Sequence, residues 1–239
     1  MMYDKDDILI VGDSFAQCRA NQTDWPVVLA RKLTNIQVGE RPRGEGFGGG
    51  AWWSVRNQLL RDLALKVPKI LVICHTEPTR LPSDSDLPLN VGVEFAGKYI
   101  HYDNGNSKVL TVEPTVAKAA TLYYKYLMSV PYVLWAQAAW FRELDELCET
   151  LAIPIVIHMH CFPGYGLHRE IHIFKHGVTI EEDLRQVQEY SEKIEKVEHP
   201  QNHFNTQINI KMAEFLYSLI VNFDENKNGK LHRLGIMDI

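Results

Sequence analysis

The sequence predicts a three-layer α/β/α sandwich built on a mostly parallel sheet. Two observations carry that prediction. Short apolar runs recur at Ile8–Val11, Lys69–Cys74 and Ile153–His160, each continuous rather than alternating. Runs of this length and composition read as strands buried on both faces, as in a parallel sheet covered by helices. Between them lie stretches whose apolar residues recur at helical spacing, so strands and helices alternate along the chain. The chain has 239 residues, 46% of them hydrophobic, enough for one sizeable core, and a single domain over 1–239 is expected.

The first run stops abruptly at Gly12-Asp13-Ser14. Gly12 lets the backbone turn sharply, and Asp13 and Ser14 are natural residues for starting a helix. The expectation is a strand that ends in a serine at the mouth of a helix. Ligands bind at that edge of an open α/β sheet, and a helix N-terminus beside the Ser14 hydroxyl favours developing negative charge. By itself the tripeptide is also compatible with a plain turn and a serine cap.

After a loop over Ala16–Thr23, Asp24 is placed to cap a helix with Pro26 in its first turn. Asn35–Val38 reads as a short second strand. The following block, Arg43–Ser54, is dense in glycine but lacks the phosphate-loop spacing Gly-x-x-x-x-Gly-Lys. A helix starting near Ala51 carries Val55, Leu59, Leu60, Leu63 and Leu65. Trp52 and Trp53 at its start are suited to walling an acyl pocket and equally to packing the helix on the sheet. The third strand, Lys69–Cys74, runs into His75-Thr76-Glu77-Pro78-Thr79-Arg80.

Residues from about 81 to 114 break the rhythm. They are rich in Pro, Asp and Asn, contain the turn signal Asn104-Gly105, and read as an insertion with a small β excursion at the C-terminal edge of the sheet. Helices over Thr115–Met128 and from Pro131 to Leu151 follow, then the fourth strand, Ile153–His160. His158 and His160 share one face of it, without a third ligand at a metal spacing, so satisfied strand-end histidines are expected and no metal. A fifth strand is expected over Glu170–Phe174, and a solvated helix or linker over Thr179–Val197. Thr206–Val221 reads as a closing amphipathic helix, and Asp224–Gly229 as a polar turn.

A net charge of −5 argues against general nucleic-acid affinity and gives no reason for an anionic membrane partner. Cys18, Cys74, Cys148 and Cys161 are scattered, which suits reduced thiols rather than a disulfide framework or a zinc site. No secretory signal or membrane-spanning run is visible, so a cytoplasmic location is expected.

Gly12-Asp13-Ser14 after the first strand, the glycine-rich block that follows, and His203 just before the last helix together resemble the SGNH (GDSL-like) hydrolase family. The tryptophan pair and Thr76-Glu77-Pro78-Thr79-Arg80 are similar to divergent members, some encoded by bacterial viruses. The resemblance implies a flavodoxin-like sheet with Ser14 as nucleophile and His203 as the base. It places the oxyanion against the N–H groups of Ser14 and Gly49, with Gly48 as the alternative. Two blocks depart from the family. The Gly-x-Asn-Asp pattern after the third strand is absent, so either His75, Thr76 or Arg80 is the side-chain donor, with Thr76 preferred, or the site lacks that donor. Pro200 stands where the triad acid is expected, so Glu198, a backbone carbonyl or an acid from elsewhere would orient the imidazole. His199 is the rival base.

The implied function is that of a serine esterase cleaving a carboxylic ester, O-acetyl groups on carbohydrate being one candidate. The implied partner is a small-molecule or glycan ester, with no cofactor, no nucleic acid and no membrane; oligomeric state is not indicated. The alternatives are an acyltransferase on the same scaffold and a non-catalytic binding or structural protein that kept the fold.

Overall fold

The computed structural model describes residues 2–18, 23–44, 46–47, 51–80, 99–103, 106–110, 114–161, 172–194, 204–224 and 228–235. In chain order the elements are β1 (Ile8–Asp13), α1 (Trp25–Leu33), β2 (Gly46–Phe47), α2 (Trp52–Leu65), β3 (Ile70–His75), β4 (Tyr99–Asp103) and β5 (Asn106–Leu110). There follow α3 (Pro114–Leu122), α4 (Val130–Thr150), β6 (Ile155–His160), β7 (Val178–Asp183), α5 (Leu184–Ile194), α6 (Thr206–Val221) and β8 (Lys230–His232). A π-helical turn over Tyr123–Leu127 extends α3 toward α4.

Among the described residues six strands form the main sheet in the order β2-β1-β3-β6-β7-β8, with every pairing parallel. With the antiparallel hairpin β4–β5 set aside, the first five strands follow the flavodoxin-like order, which reverses direction at β1. In open α/β sheets the crevice at such a reversal, outside the C-terminal ends of β1 and β3, is where ligands bind.

The continuous apolar runs are explained by two covered faces. Ile8 and Ile10 join a core with α1, α5 and α6, whereas Leu9 and Val11 join a second core with α2 and α4. Every residue of β1, β3 and β6 is buried. Two asparagines seat the closing helix. Asn205 caps α6 by accepting from Ile208 N at 2.8 Å, and Asn209 Oδ1 accepts from Trp25 N at 2.7 Å, tying α6 to the start of α1.

The second strand lies later than expected. Asn35–Val38 is a loop ending in a turn where Glu40 N donates to Gln37 O, and the pairing partner of β1 is Gly46–Phe47. A glycine is required there: a Cβ on Gly46 would lie 2.4 Å from both Asp13 O and the Ala16 carbonyl carbon. Dense glycine signals close backbone approach, and here Gly46 is what lets this edge strand approach. The fifth strand is Val178–Asp183 rather than Glu170–Phe174; of the expected stretch, the described part, 172–174, is not strand. Its acidic end hid it, because Glu182 is spent inside the fold, accepting from Leu234 N and from Gly235 N (the latter at 2.7 Å). The predicted β excursion is the β4–β5 hairpin; its turn at Asn104-Gly105 lies outside the described residues. Among the described residues no helix is long and apolar enough to cross a membrane.

Candidate functional site

At the strand reversal β1 runs into the turn that starts at Ser14, and β3 into the loop that carries Thr76 and Arg80. The turn differs from expectation. Ser14 does not start an α-helix; it opens a single 3-10 turn, Ser14–Ala16, and the first α-helix begins at Trp25. So short a turn has no appreciable macrodipole, and the Phe15 N–H is already taken by Asp13 Oδ1 at 3.0 Å. Stabilisation of negative charge here must come from individual N–H and O–H groups. Gly12 permits the tight approach of β1 to β3, since a Cβ on it would lie 2.5 Å from Cys74 Cβ.

Asp13 is the polar centre of the turn and has no exposed surface. Besides Phe15 N, its Oδ1 accepts from Cys161 Sγ at 3.1 Å, and its Oδ2 accepts from Arg80 Nη1 at 3.2 Å. The Thr76 hydroxyl faces the same carboxylate, outside full hydrogen-bond geometry. Burial pushes the Asp13 carboxyl above its usual range, and the Arg80 guanidinium and Phe15 N–H pull it part of the way back. Burial also raises the Cys161 thiol well above its ordinary value, which suits a protonated sulfur donating to Asp13. Arg80 in turn approaches Glu77 Oε1 at 3.5 Å through Nε. Asp13 is therefore a scaffold for the turn, with both oxygens engaged.

Ser14 is 7% exposed and Thr76 4% exposed, and both flank Asp13 at the strand reversal. Of the other expected site residues, Gly48, Gly49, Glu198, His199 and His203 lie outside the described residues. The structure does describe Phe204, the neighbour of His203. Its ring packs on Phe15, the neighbour of Ser14, at 5.4 Å between centroids. Trp25 Nε1 donates to Phe15 O at 2.7 Å and so braces the turn from α1. The lead-in to α6 and the serine turn thus meet although they come from opposite ends of the chain.

A second cluster was only partly foreseen. His75, His158, His160 and His172 gather with Phe141 and Phe174 on the α4 side of the sheet. His158 Nε2 donates to His176 O at 3.0 Å, so its Nδ1 is the acceptor for His75 Nε2 at 3.1 Å. His160 Nε2 donates to His172 O at 3.1 Å. Burial keeps His75 far below the ordinary histidine value and His158 down at about 3. His75 and His158 are neutral core histidines, and His158 and His160 are hydrogen-bonded through ring nitrogens, as expected. No group of three potential ligands among the described residues is arranged to hold a metal ion. What the sequence did not reveal is the partner of Asp13: Arg80 stood out only as a donor candidate after the third strand.

Beside the strand reversal lies a cleft of about 380 Å³ walled by Trp52, Trp53, Tyr123 and Tyr132, with Arg80 in its lining. Arg80 is the shared residue that connects this cleft to the Ser14 turn through Asp13. No family model, curated protein or solved structure matches this chain.

Proposed function

We propose that this chain is a serine hydrolase of carboxylic esters, with Ser14 as nucleophile and His203 as general base. The observation that carries the reading is the Phe15–Phe204 contact, which joins the turn holding Ser14 to the residue following His203. The position of that turn supports it further, because the strand reversal is where open α/β sheets bind ligands. In this reading Ser14 Oγ attacks the ester carbonyl carbon while its proton passes to the imidazole. The carbonyl π electrons move onto oxygen, where the N–H groups of Ser14 and Gly49 and the Thr76 hydroxyl receive the negative charge. Collapse expels the alcohol, which takes the proton from the imidazolium, and water repeats the sequence to release the acid. Glu198 is the proposed orienting acid, because Asp13 is committed to Arg80, Cys161 and the Phe15 N–H.

The test is labelling with a fluorophosphonate probe together with turnover of 4-nitrophenyl acetate. Both activities are expected in the parent chain, and both are expected to vanish in Ser14→Ala. Folded protein that neither labels nor turns over would instead favour a binding protein that kept the fold. Product analysis in the presence of an added alcohol separates hydrolysis from acyl transfer.

A further inference from the structure

The geometry points to a carbohydrate-binding subsite in the aromatic cleft beside Arg80: we propose that it stacks a neutral sugar ring of an oligosaccharide substrate. The inference deepens the esterase reading and rests on it only for the ester group. The cleft's volume of about 380 Å³ is that of a small-ligand site.

Four aromatic rings stand in its lining beside Pro78, Val133 and Ala136, and two of them are substantially exposed. Trp53 is 41% exposed, and Tyr132 is 60% exposed. Trp135, also exposed, lies against Tyr132 at 6.1 Å between centroids, extending the ring surface beyond the cleft along α4. An acyl chain is best desolvated in an enclosed apolar pocket. A sugar ring instead needs an apolar platform under its C–H face and water or polar groups at its rim, and amphipathic rings supply that. The extension along α4 suits a chain of sugars better than one small acyl group. The net charge of −5 disfavours a nucleic acid as the stacking partner.

The platform is also held in place, as a preorganised site requires. Arg56 covers one face of Trp53 at 5.1 Å and is itself gripped by Glu143 through Nε at 2.9 Å and a second contact from Nη2. Tyr124 Oη donates to Thr79 O at 3.1 Å, and Gln137 Nε2 donates to Thr76 O at 3.0 Å. These bonds fasten the π-helical turn and α4 to the loop after β3, so the cleft and the serine turn share one frame.

The test is isothermal titration calorimetry on the Ser14→Ala chain, which binds without turnover. The probes are chitotetraose and xylotetraose as neutral sugars and octanoate as an acyl chain. Saturable binding of either sugar is expected, weakened about tenfold or more by Trp53→Ala and by Tyr132→Ala and largely restored by Trp53→Phe. Thermal melts of the variants check that they stay folded. Binding of octanoate alone, no binding of any probe, or sugar binding that both alanine variants leave unchanged would overturn the proposal. Sugar binding in a chain whose parent form takes no fluorophosphonate would leave the subsite standing and remove the esterase reading, so the two failures are distinguishable.

Discussion

Asp7 and Asp13 stand at the two ends of the same strand, each facing cationic side chains. At the N-terminal edge Asp7 bonds Lys66 Nζ at 2.9 Å and Lys69 Nζ at 2.8 Å, and both lysines reach well into solvent. The Lys69 hydrogen bond, with help from Lys66, holds the Asp7 carboxyl down at about 2. At the C-terminal edge Asp13 has one cation, Arg80, and the pair is nearly dry, with side chains 7% and 0% exposed. There burial outweighs the guanidinium, and the carboxyl shifts upward instead. Both carboxylates are buried; two lysines outweigh that burial at Asp7, whereas burial outweighs the guanidinium at Asp13. One edge is a stability device in which a buried carboxylate meets lysines that reach water. The other gathers dehydrated polar groups at the C-terminal edge of the sheet, the arrangement expected where a fold carries chemistry.

The sharpest way to break the contrast is to truncate both carboxylates. Asp13→Ala removes the buried carboxylate from Arg80, leaving it Glu77, and takes the acceptor from the Phe15 N–H, and should cost about 3–5 kcal/mol in urea unfolding. The same truncation at Asp7 should cost less, about 2 kcal/mol, because the exposed Lys66 and Lys69 return to water. Equal losses at the two positions would erase the distinction.

Acid sensitivity is the next largest effect, and it belongs to the histidine cluster at the C-terminal side. His75 and His158 titrate lower in the folded chain than unfolded, so the unfolded state binds more protons as pH falls. Stability is therefore full above the unfolded histidine value of about 6.5 and declines below it, by about 2 kcal/mol per buried histidine at pH 5. For His158 the decline continues until the pH reaches about 3. His158→Gln should flatten the slope between pH 7 and pH 5. Asp7, with its depressed value, contributes stability above the usual carboxylate range that disappears only as pH falls through about 2.

A smaller effect tests the edge strand. Gly46→Ala should cost about 1–3 kcal/mol, because the new methyl meets the backbone of Asp13 and Ala16. A neutral outcome would mean that β2 approaches the serine turn less closely than described.

The parts of the fold visible in the sequence were those set by local pattern. β1, β3 and β6 announce themselves because two covered faces demand apolar side chains throughout, and α6 runs over the residues its periodicity indicates. β2 and β7 were misplaced because their requirements are tertiary. One needs glycine to approach Asp13, and the other carries Glu182 to anchor the backbone at Leu234 and Gly235. The same division holds at the site. Ser14 could be singled out from a strand end followed by a turn. The Asp13–Arg80 pair spans 67 positions, and the aromatic cleft draws on α2, α4 and two connecting segments. Nothing in a linear reading marks those residues as neighbours.

The central claim is that Ser14 and His203 work as one unit, and a crystal structure of the chain determined before and after phosphonate labelling tests it most directly. The account predicts His203 Nε2 within about 3.2 Å of Ser14 Oγ in the unlabelled chain and the phosphonate bonded to that oxygen after labelling. An imidazole facing away from the serine turn, or a phosphonate on any other side chain, would contradict it.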